Sequence, residues 1–161
     1  MRTVYLESSV FGYLTARPSK DLVAAARQEI TARWWHERRQ HFEIFISAVV
    51  ETESGRGDPA AAARRLSAMI RIPKLKVTPE VERLADQLLQ EGVVPEVAVD
   101  DALHVALGAV HRMDYLLTWN CRHIDNAEKK PLIRSVCAIH GYVCPEICTP
   151  EELMGESSDE G

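Results

Sequence analysis

Short apolar runs alternate with longer amphipathic segments along this chain. Runs such as RTVYL and FEIFIS are rich in the β-branched and aromatic residues that favour strands, and the strongly apolar YLLTW is typical of a buried parallel strand. The pattern predicts strands at residues 2–6, 42–47, 74–77, 115–119 and 146–149.

The segments between these runs predict helices. Apolar residues recur at helical spacing over residues 21–40, and Ser19 stands just ahead of this segment as a candidate cap. Pro79 and Gly92 mark the start and the end of another helix. The remaining predicted helices start near Val10 or cover residues 48–54, 60–70, 97–111 and 130–142.

The alternation of strands and helices predicts an α/β fold. Parallel neighbouring strands need crossover connections, so we expect a three-layer α/β/α domain with a central, mainly parallel sheet. Sites in such sheets lie at the carboxyl ends of the strands. The chain has no internal repeat and no glycine-rich phosphate loop, which argues against Rossmann and P-loop folds. We expect one domain over residues 1–153 and a disordered acidic tail over 154–161.

Composition and charge are those of an ordinary globular protein. Of the 161 residues 46% are hydrophobic and 27% are charged, and no apolar run approaches the length of a membrane span. The first residues, MRTVYLESSVFGYL, place polar side chains where a signal peptide is apolar, which predicts a cytoplasmic protein. The net charge of −5 is opposite to that of most nucleic-acid-binding proteins, so a nucleic acid would have to be attracted by local basic patches or bound cations.

The cysteines are confined to the last quarter of the chain, which argues against a disulfide framework and favours free thiols. Together with two histidines they leave a zinc site as an alternative, although no Cys-x-x-Cys pair is present. This set comprises Cys121, His123, Cys137, His140, Cys144 and Cys148.

Acidic residues follow the predicted strands. Glu7 comes just after the first strand, Glu53 lies beyond the second, and Asn120 follows the strand at 115–119. Asp101 joins them if the amino end of its helix faces the same sheet edge. Such a set of oxygen ligands suits Mg²⁺ or Mn²⁺.

Each acidic candidate has a structural alternative. Asp100 and Asp101 both favour a helix amino terminus, and we assign that role to Asp100 and the metal role to Asp101. Glu51 competes with Glu53 for the second position, and a solvated helix face is the alternative for both.

Four segments carry a resemblance to a known family. VYLESSVFGYL, ISAVVETE, DDALHVALGAVHRMDYLLTWN and ICTPEEL together resemble the PIN-domain family, in particular the VapC-like toxins of bacterial toxin–antitoxin pairs. The resemblance extends over roughly residues 2–153. It implies a PIN-like fold and a ribonuclease that hydrolyses RNA phosphodiester bonds with Mg²⁺ or Mn²⁺. It also implies a cognate antitoxin and a homodimer.

The resemblance implies metal ligands at Glu7, Glu53, Asp101 and Asn120, with Thr118 as the polar residue just before the last of these. Glu7 stands where Asp is commoner, and Asn120 replaces an acid and removes a negative charge. A further acid is also missing, because Arg122 occupies its place, and Asp125 is the alternative for it. These departures leave open a rival function, that of a catalytically weakened PIN-like module that binds RNA or a protein partner.

A histidine and two tryptophans outside the implied metal ligands have roles that the sequence leaves open. We expect His104 to be a core histidine or to hydrogen-bond to the site rather than to bind a hard cation. Trp34 and Trp35, with neighbouring arginines, allow two interpretations. Either they form an RNA surface, since aromatic rings stack on bases, or Trp34 lies in the core or faces a partner. The helix at 21–40 is the candidate surface for association.

Overall fold

A computed structural model describes residues 1–155 and contains a five-stranded sheet in which all neighbouring strands are parallel. The strands are β1 (Arg2–Leu6), β2 (Phe42–Ser47), β3 (Lys74–Leu75), β4 (Tyr115–Leu117) and β5 (Glu146–Cys148). The helices are α1 (Ser8–Thr15), α2 (Leu22–Arg33), α3 (Ala48–Ser54), α4 (Pro59–Ala68), α5 (Pro79–Gln90), α6 (Val99–Val110) and α7 (Lys130–Ile139).

The strand order is β3-β2-β1-β4-β5, which places β1 at the centre. Val4 of β1 pairs with Ile44 of β2 on one side and with Tyr115 of β4 on the other. Because every strand runs in the same direction, all carboxyl ends lie at one edge of the sheet. The predicted three-layer α/β/α fold is confirmed, with the last three strands shorter than predicted.

The centre of the sheet forms the core. Val4, Tyr5 and Leu6 of β1 and Leu116 and Leu117 of β4 are fully buried. Burying a side chain such as Leu contributes about 1.5–3 kcal/mol to the stability of the fold. Helices cover both faces of the sheet, so both faces of these strands are apolar, which explains the continuous apolar runs in the sequence.

The segment after α2 departs from the predicted continuous helix at 21–40. The amino-terminal cap of α2 is Asp21, whose side chain accepts a hydrogen bond from the Ala24 backbone N–H at 2.9 Å. The prediction that Ser19 is the cap was therefore wrong. Beyond Arg33 the backbone forms a π-helical turn over Trp34–Arg38 and then a 3₁₀ turn over Arg39–His41. Trp34 is fully buried there and its ring stacks on that of Phe42 at 6.0 Å. The change from α-helix to π-helix therefore occurs where this large side chain enters the core. The periodicity of apolar residues does not indicate such a change.

Gly108 in α6 is required by close packing. A Cβ at this position would lie 2.9 Å from Cγ of Pro145, in a ring that has little freedom to move. We expect Gly108→Ala to lower the free energy of unfolding by about 1–2 kcal/mol, because overpacking outweighs the better helix propensity of Ala.

The matched control is Gly12→Ala in α1, where a Cβ would meet nothing within 4 Å. There we expect a gain of about 0.5–1 kcal/mol from helix propensity alone. Urea unfolding of both variants measures the difference, and a stabilised Gly108→Ala would contradict the packing argument.

The end of the described chain contacts the fold. Met154 packs against the core, and Gly155 lies against the guanidinium of Arg38. The rest of the predicted acidic tail, residues 156–161, lies outside the described residues. Within residues 1–155 no helix is both long and apolar enough to cross a membrane.

All four cysteines are free, as predicted. Cys121 is exposed, Cys144 is half-buried and the other two are buried. Burial raises the pKa of the Cys148 thiol to about 12. This thiol is therefore protonated at neutral pH and behaves as a small apolar side chain.

Candidate metal centre

Polar side chains converge at the carboxyl edge of the sheet. Glu7 follows β1 directly, Thr118 follows β4, and Glu53 lies on α3, which begins where β2 ends. Asp101 lies in the first turn of α6. The topology thus brings together side chains that are far apart in the sequence.

Glu7 is buried and held by four donors. One carboxylate oxygen accepts hydrogen bonds from Ser8 Oγ at 2.7 Å and from the Ser9 backbone N–H at 3.1 Å. The other accepts from Thr118 Oγ1 at 2.6 Å and from the Ser9 hydroxyl. A carboxylate offers about four lone-pair positions, so these donors fix its orientation. Glu7 also caps α1 through Ser9, so one side chain starts the helix and faces the site.

Glu53 and His104 adjoin Glu7. Glu53 Oε1 lies 3.2 Å from Ser8 Oγ, whose single hydrogen Glu7 also contacts, and it is hydrogen-bonded to His104 Nε2. One ligand atom from each of Glu7, Glu53 and His104 lies within 4.8 Å of the others. Two carboxylates and an imidazole at this spacing are compatible with a divalent metal site.

Within residues 1–155, Glu7, Glu53 and His104 are the only group of three or more His, Cys, Asp and Glu side chains close enough together to hold a metal ion. The cysteines and the histidines of the alternative zinc site do not belong to it. The described part of the chain therefore offers no support for a zinc site in the last quarter of the sequence.

His104 is fully buried and bonded on both ring nitrogens. Its Nδ1 lies 2.7 Å from the Tyr5 hydroxyl, which in turn lies 2.8 Å from Ser47 Oγ. Burial lowers the pKa of His104, but the hydrogen bond with Glu53 and the nearby carboxylates outweigh it and the pKa is raised. Burial also raises the pKa of Tyr5 well above its usual value. Tyr5 was missed from the sequence, where its only signal is a hydroxyl within an apolar strand.

Asp101 lies beside this group with its own partners. Its Oδ1 accepts a hydrogen bond from Asn120 Nδ2 at 3.2 Å, and its Oδ2 lies 2.9 Å from His123 Nδ1. Burial raises the pKa of Asp101, and the hydrogen bond with His123 opposes that effect only in part. Asp101, Glu53 and His123 line a shared open pocket of about 320 Å³. His123, which sequence reasoning assigned only to the zinc alternative, therefore faces the candidate centre.

Asn120 uses its side chain to hold the turn after β4. Its Oδ1 accepts hydrogen bonds from the backbone N–H groups of Arg122 and His123, at 3.3 and 3.0 Å. Its Nδ2 points to Asp101. The amide oxygen that would bind a cation is thus already engaged, and the role of Asn120 as a ligand stays a prediction.

The competing acids have other partners. Glu51 forms an ion pair with Lys74 at 2.9 Å, and Asp100 lies 3.5 Å from Arg56. Asp125, the alternative for the missing acid, forms an ion pair with Lys130 at 2.7 Å. Glu53 rather than Glu51 therefore belongs to the group, as the resemblance implies through Ser47, the serine six residues before Glu53.

The paired tryptophans have different environments. Trp34 is in the core, whereas Trp35 is half-buried with the Arg39 guanidinium 4.0 Å from the centre of its ring. Of the two interpretations, the core position of Trp34 is confirmed. Of the two tryptophans, only Trp35 could then stack on an RNA base at this helix.

Comparisons with known proteins support the fold but not a family. No protein-family model matches this sequence, and no curated protein matches it. Among solved structures it is similar to a chain in the crystal structure of VapBC2 from Rickettsia felis bound to a DNA fragment from their promoter. The TM-score is 0.58 at 13% sequence identity, over 91% of this chain and 98% of the other. The architecture is therefore PIN-like, and the function has to be argued from the site.

Proposed function

We propose that this protein is a metal-dependent ribonuclease of the VapC type, which hydrolyses RNA phosphodiester bonds. The observation that carries the proposal is the approach of Glu7, Glu53 and His104 to within 4.8 Å at the carboxyl edge of a PIN-like fold. The expected cofactor is Mg²⁺ or Mn²⁺, because carboxylate oxygens suit these hard cations.

The residues proposed to hold the ion are Glu7, Glu53 and Asp101, with Asn120 beside them. A divalent ion bound there would supply charge stabilisation for the phosphodiester and activate a water. The chain itself orients the ligands. The Ser8 hydroxyl lies between the Glu7 and Glu53 carboxylates, and Thr118 Oγ1 donates a hydrogen bond to Oε1 of Glu7. Asn120 and His123 hold Asp101 from the opposite side.

An antitoxin partner and a homodimer belong to the same proposal. The complex formed by the VapBC2 neighbour supports a partner protein, and exposed Leu22 and Val23 at the start of α2 offer apolar surface for association. Size-exclusion chromatography with light scattering measures the state of the isolated chain. A strict monomer at tens of micromolar would remove the homodimer from the proposal.

A second function is favoured by one observation. Asn120 stands where the resemblance implies an acid, and its oxygen is engaged by backbone N–H groups. A domain with a weakened centre would bind RNA or a protein partner without cleaving RNA.

Cleavage of a mixed, labelled RNA by the purified, partner-free protein tests the proposal. We expect cleavage with Mg²⁺ or Mn²⁺ and none with EDTA. A folded protein that binds RNA but cleaves it under none of these conditions would favour the binding module instead.

Calorimetry with Mn²⁺ tests the centre without relying on activity. Glu53→Gln is expected to weaken Mn²⁺ binding by at least about tenfold, a loss of about 1.4 kcal/mol, because a charged ligand is removed at nearly constant shape. Glu51→Gln is the matched control on the same helix. It removes only an ion pair with Lys74 at the surface and should leave the affinity unchanged. Equal effects of the two variants would show that general charge, not a site at Glu53, attracts the ion.

A further inference from the structure

A buried chain of hydrogen bonds runs behind Glu53. It begins at Ser47, at the end of β2, and passes through the Tyr5 hydroxyl of β1 at 2.8 Å. It continues to His104 Nδ1 of α6 at 2.7 Å and ends at the Glu53 carboxylate of α3. Ser47, Tyr5 and His104 are fully buried, and only Glu53 reaches the pocket.

We propose that His104, fixed by Tyr5 and Ser47, is a positioning residue that holds the Glu53 carboxylate ready for a divalent cation and does not itself bind the ion. This inference rests on the proposed metal-dependent function and assigns the part that His104 plays in it.

The bonding of His104 Nε2 supports this role. A carboxylate only accepts hydrogen bonds, so the ring nitrogen facing Glu53 carries a hydrogen. A ring nitrogen that carries a hydrogen has no lone pair for a metal ion. The other nitrogen, Nδ1, is occupied by Tyr5 on the side away from the pocket. Neither nitrogen is then free to act as a ligand.

The direction of the donors is consistent along the whole chain. The Val50 backbone N–H donates to Ser47 Oγ at 3.4 Å, which leaves the Ser47 hydroxyl hydrogen for Tyr5. When the ring is neutral, the Tyr5 hydroxyl then donates to His104 Nδ1, and when the ring is charged, Nδ1–H donates to Tyr5. In both forms His104 Nε2–H donates to Glu53. Every buried polar atom in this arrangement has a partner, which is the condition for a rigid buried network.

The two oxygens of Glu53 have different surroundings. Oε1 accepts the hydrogen bond from His104 and lies 3.2 Å from Ser8 Oγ, whereas Oε2 has no hydrogen bond within residues 1–155. The side chain is 20% exposed. Holding Oε1 therefore leaves Oε2 as the oxygen available to the pocket that Glu53 shares with Asp101. Histidine and carboxylate partners of metal ligands commonly act in this way.

The test compares Tyr5→Phe with Tyr115→Phe. Each variant loses one hydroxyl from a central strand, but Tyr115 hydrogen-bonds to Arg2 and lies at the opposite end of the sheet from Glu53. Losing a direct partner of a metal ligand costs about tenfold to a hundredfold in affinity. Tyr5 acts one step further away, through His104, so we expect Tyr5→Phe to weaken Mn²⁺ binding by about tenfold and Tyr115→Phe to leave it unchanged. Thermal unfolding checks that both variants are folded.

Two spectroscopic measurements separate positioning from ligation. Nitrogen NMR of ¹⁵N-histidine-labelled, metal-free protein should show His104 with hydrogen on Nε2, and this signal should change in Tyr5→Phe. Pulsed EPR of the wild-type protein with Mn²⁺ should show no coupling from a directly bound nitrogen. A direct nitrogen coupling that disappears in His104→Asn would make His104 a ligand and overturn the inference.

The outcomes distinguish this inference from the proposed function. If wild-type protein binds Mn²⁺ and cleaves RNA while Tyr5→Phe binds Mn²⁺ equally well, the positioning role is wrong and the nuclease stands. If the folded wild-type protein binds no Mn²⁺, the nuclease proposal falls and the positioning role falls with it.

Discussion

Asp101→Asn is expected to slow Mg²⁺- or Mn²⁺-dependent RNA cleavage by at least about a hundredfold, equivalent to about 3 kcal/mol in the barrier. The substitution removes one negative charge from the pocket shared with Glu53 and keeps the size of the side chain. With less negative charge the site holds a cation less tightly, and the reaction loses the charge stabilisation that the cation supplies. Initial rates of cleavage of a labelled RNA, measured at one metal concentration that does not saturate the variant, give the effect.

Asp100→Asn is the matched control for this experiment. It makes the same chemical change one residue earlier in the same pocket, where the carboxylate is paired with Arg56 at 3.5 Å. We expect a rate within about twofold of the wild type, because Arg56 already offsets the charge of Asp100. Equal losses in the two variants would mean that the charge of the helix amino terminus, and not a site at Asp101, governs activity.

Unfolding is not expected to explain the loss in Asp101→Asn. Burial raises the pKa of Asp101, so folding favours its protonated form. The contribution of this group to stability is therefore present at low pH and is lost as the pH rises through the raised pKa. Asn does not ionise, so the metal-free variant should melt at or above the wild-type temperature at neutral pH. A cleavage rate that stays at the wild-type level in this folded variant would remove Asp101 from the centre.

Trp34→Ala is expected to lower the free energy of unfolding by about 3–5 kcal/mol, which is a large part of the stability of a domain of this size. The side chain is fully buried, and its removal would leave a cavity against Phe42. Because the interior is close-packed, the side chains around Trp34 can close such a cavity only in part. Urea unfolding followed by tyrosine fluorescence or circular dichroism measures the loss.

Trp34→Phe provides the control for that result. The indole Nε1 has no hydrogen-bond partner among the described residues, so the buried N–H is already a cost to the fold. Phe removes this cost while filling most of the space, and we expect a loss of about 1 kcal/mol or less. A loss as large as that of Trp34→Ala would mean that the N–H has a partner, such as a buried water.

The positions of Glu7 and Glu53 could be predicted because they depend on local patterns. Glu7 directly follows an apolar run that predicts a strand, and Glu53 lies on the short helix that begins where the next such run ends. Parallel strands end at one edge of the sheet. For Asp101 the same reasoning held only on the condition that the amino end of its helix faces that edge. Ser47 also carried a local signal, since a serine at the end of a strand caps the helix that follows.

The partners of these residues could not be predicted in the same way. Tyr5 and His104 are separated by many residues, and only the packing of α6 on β1 brings the hydroxyl and the ring together. Asn120 has the residue type of a ligand, yet its oxygen is taken by the backbone of the turn that follows. The choice between these roles depends on distances of a few tenths of an ångström, which a one-dimensional pattern does not contain.

By itself the sequence determined the alternation of strands and helices, the parallel sheet and the sheet edge at which acidic residues meet. These follow from periodicity and from the short range of turn and capping interactions. Tertiary structure alone decided that Trp34 is core, that the helix at 21–40 widens into a π turn, and that His104 is tied to both Tyr5 and Glu53. Such features are set by which side chains compete for the same buried space and the same hydrogen-bond partners, and that competition exists only once the layers have packed together.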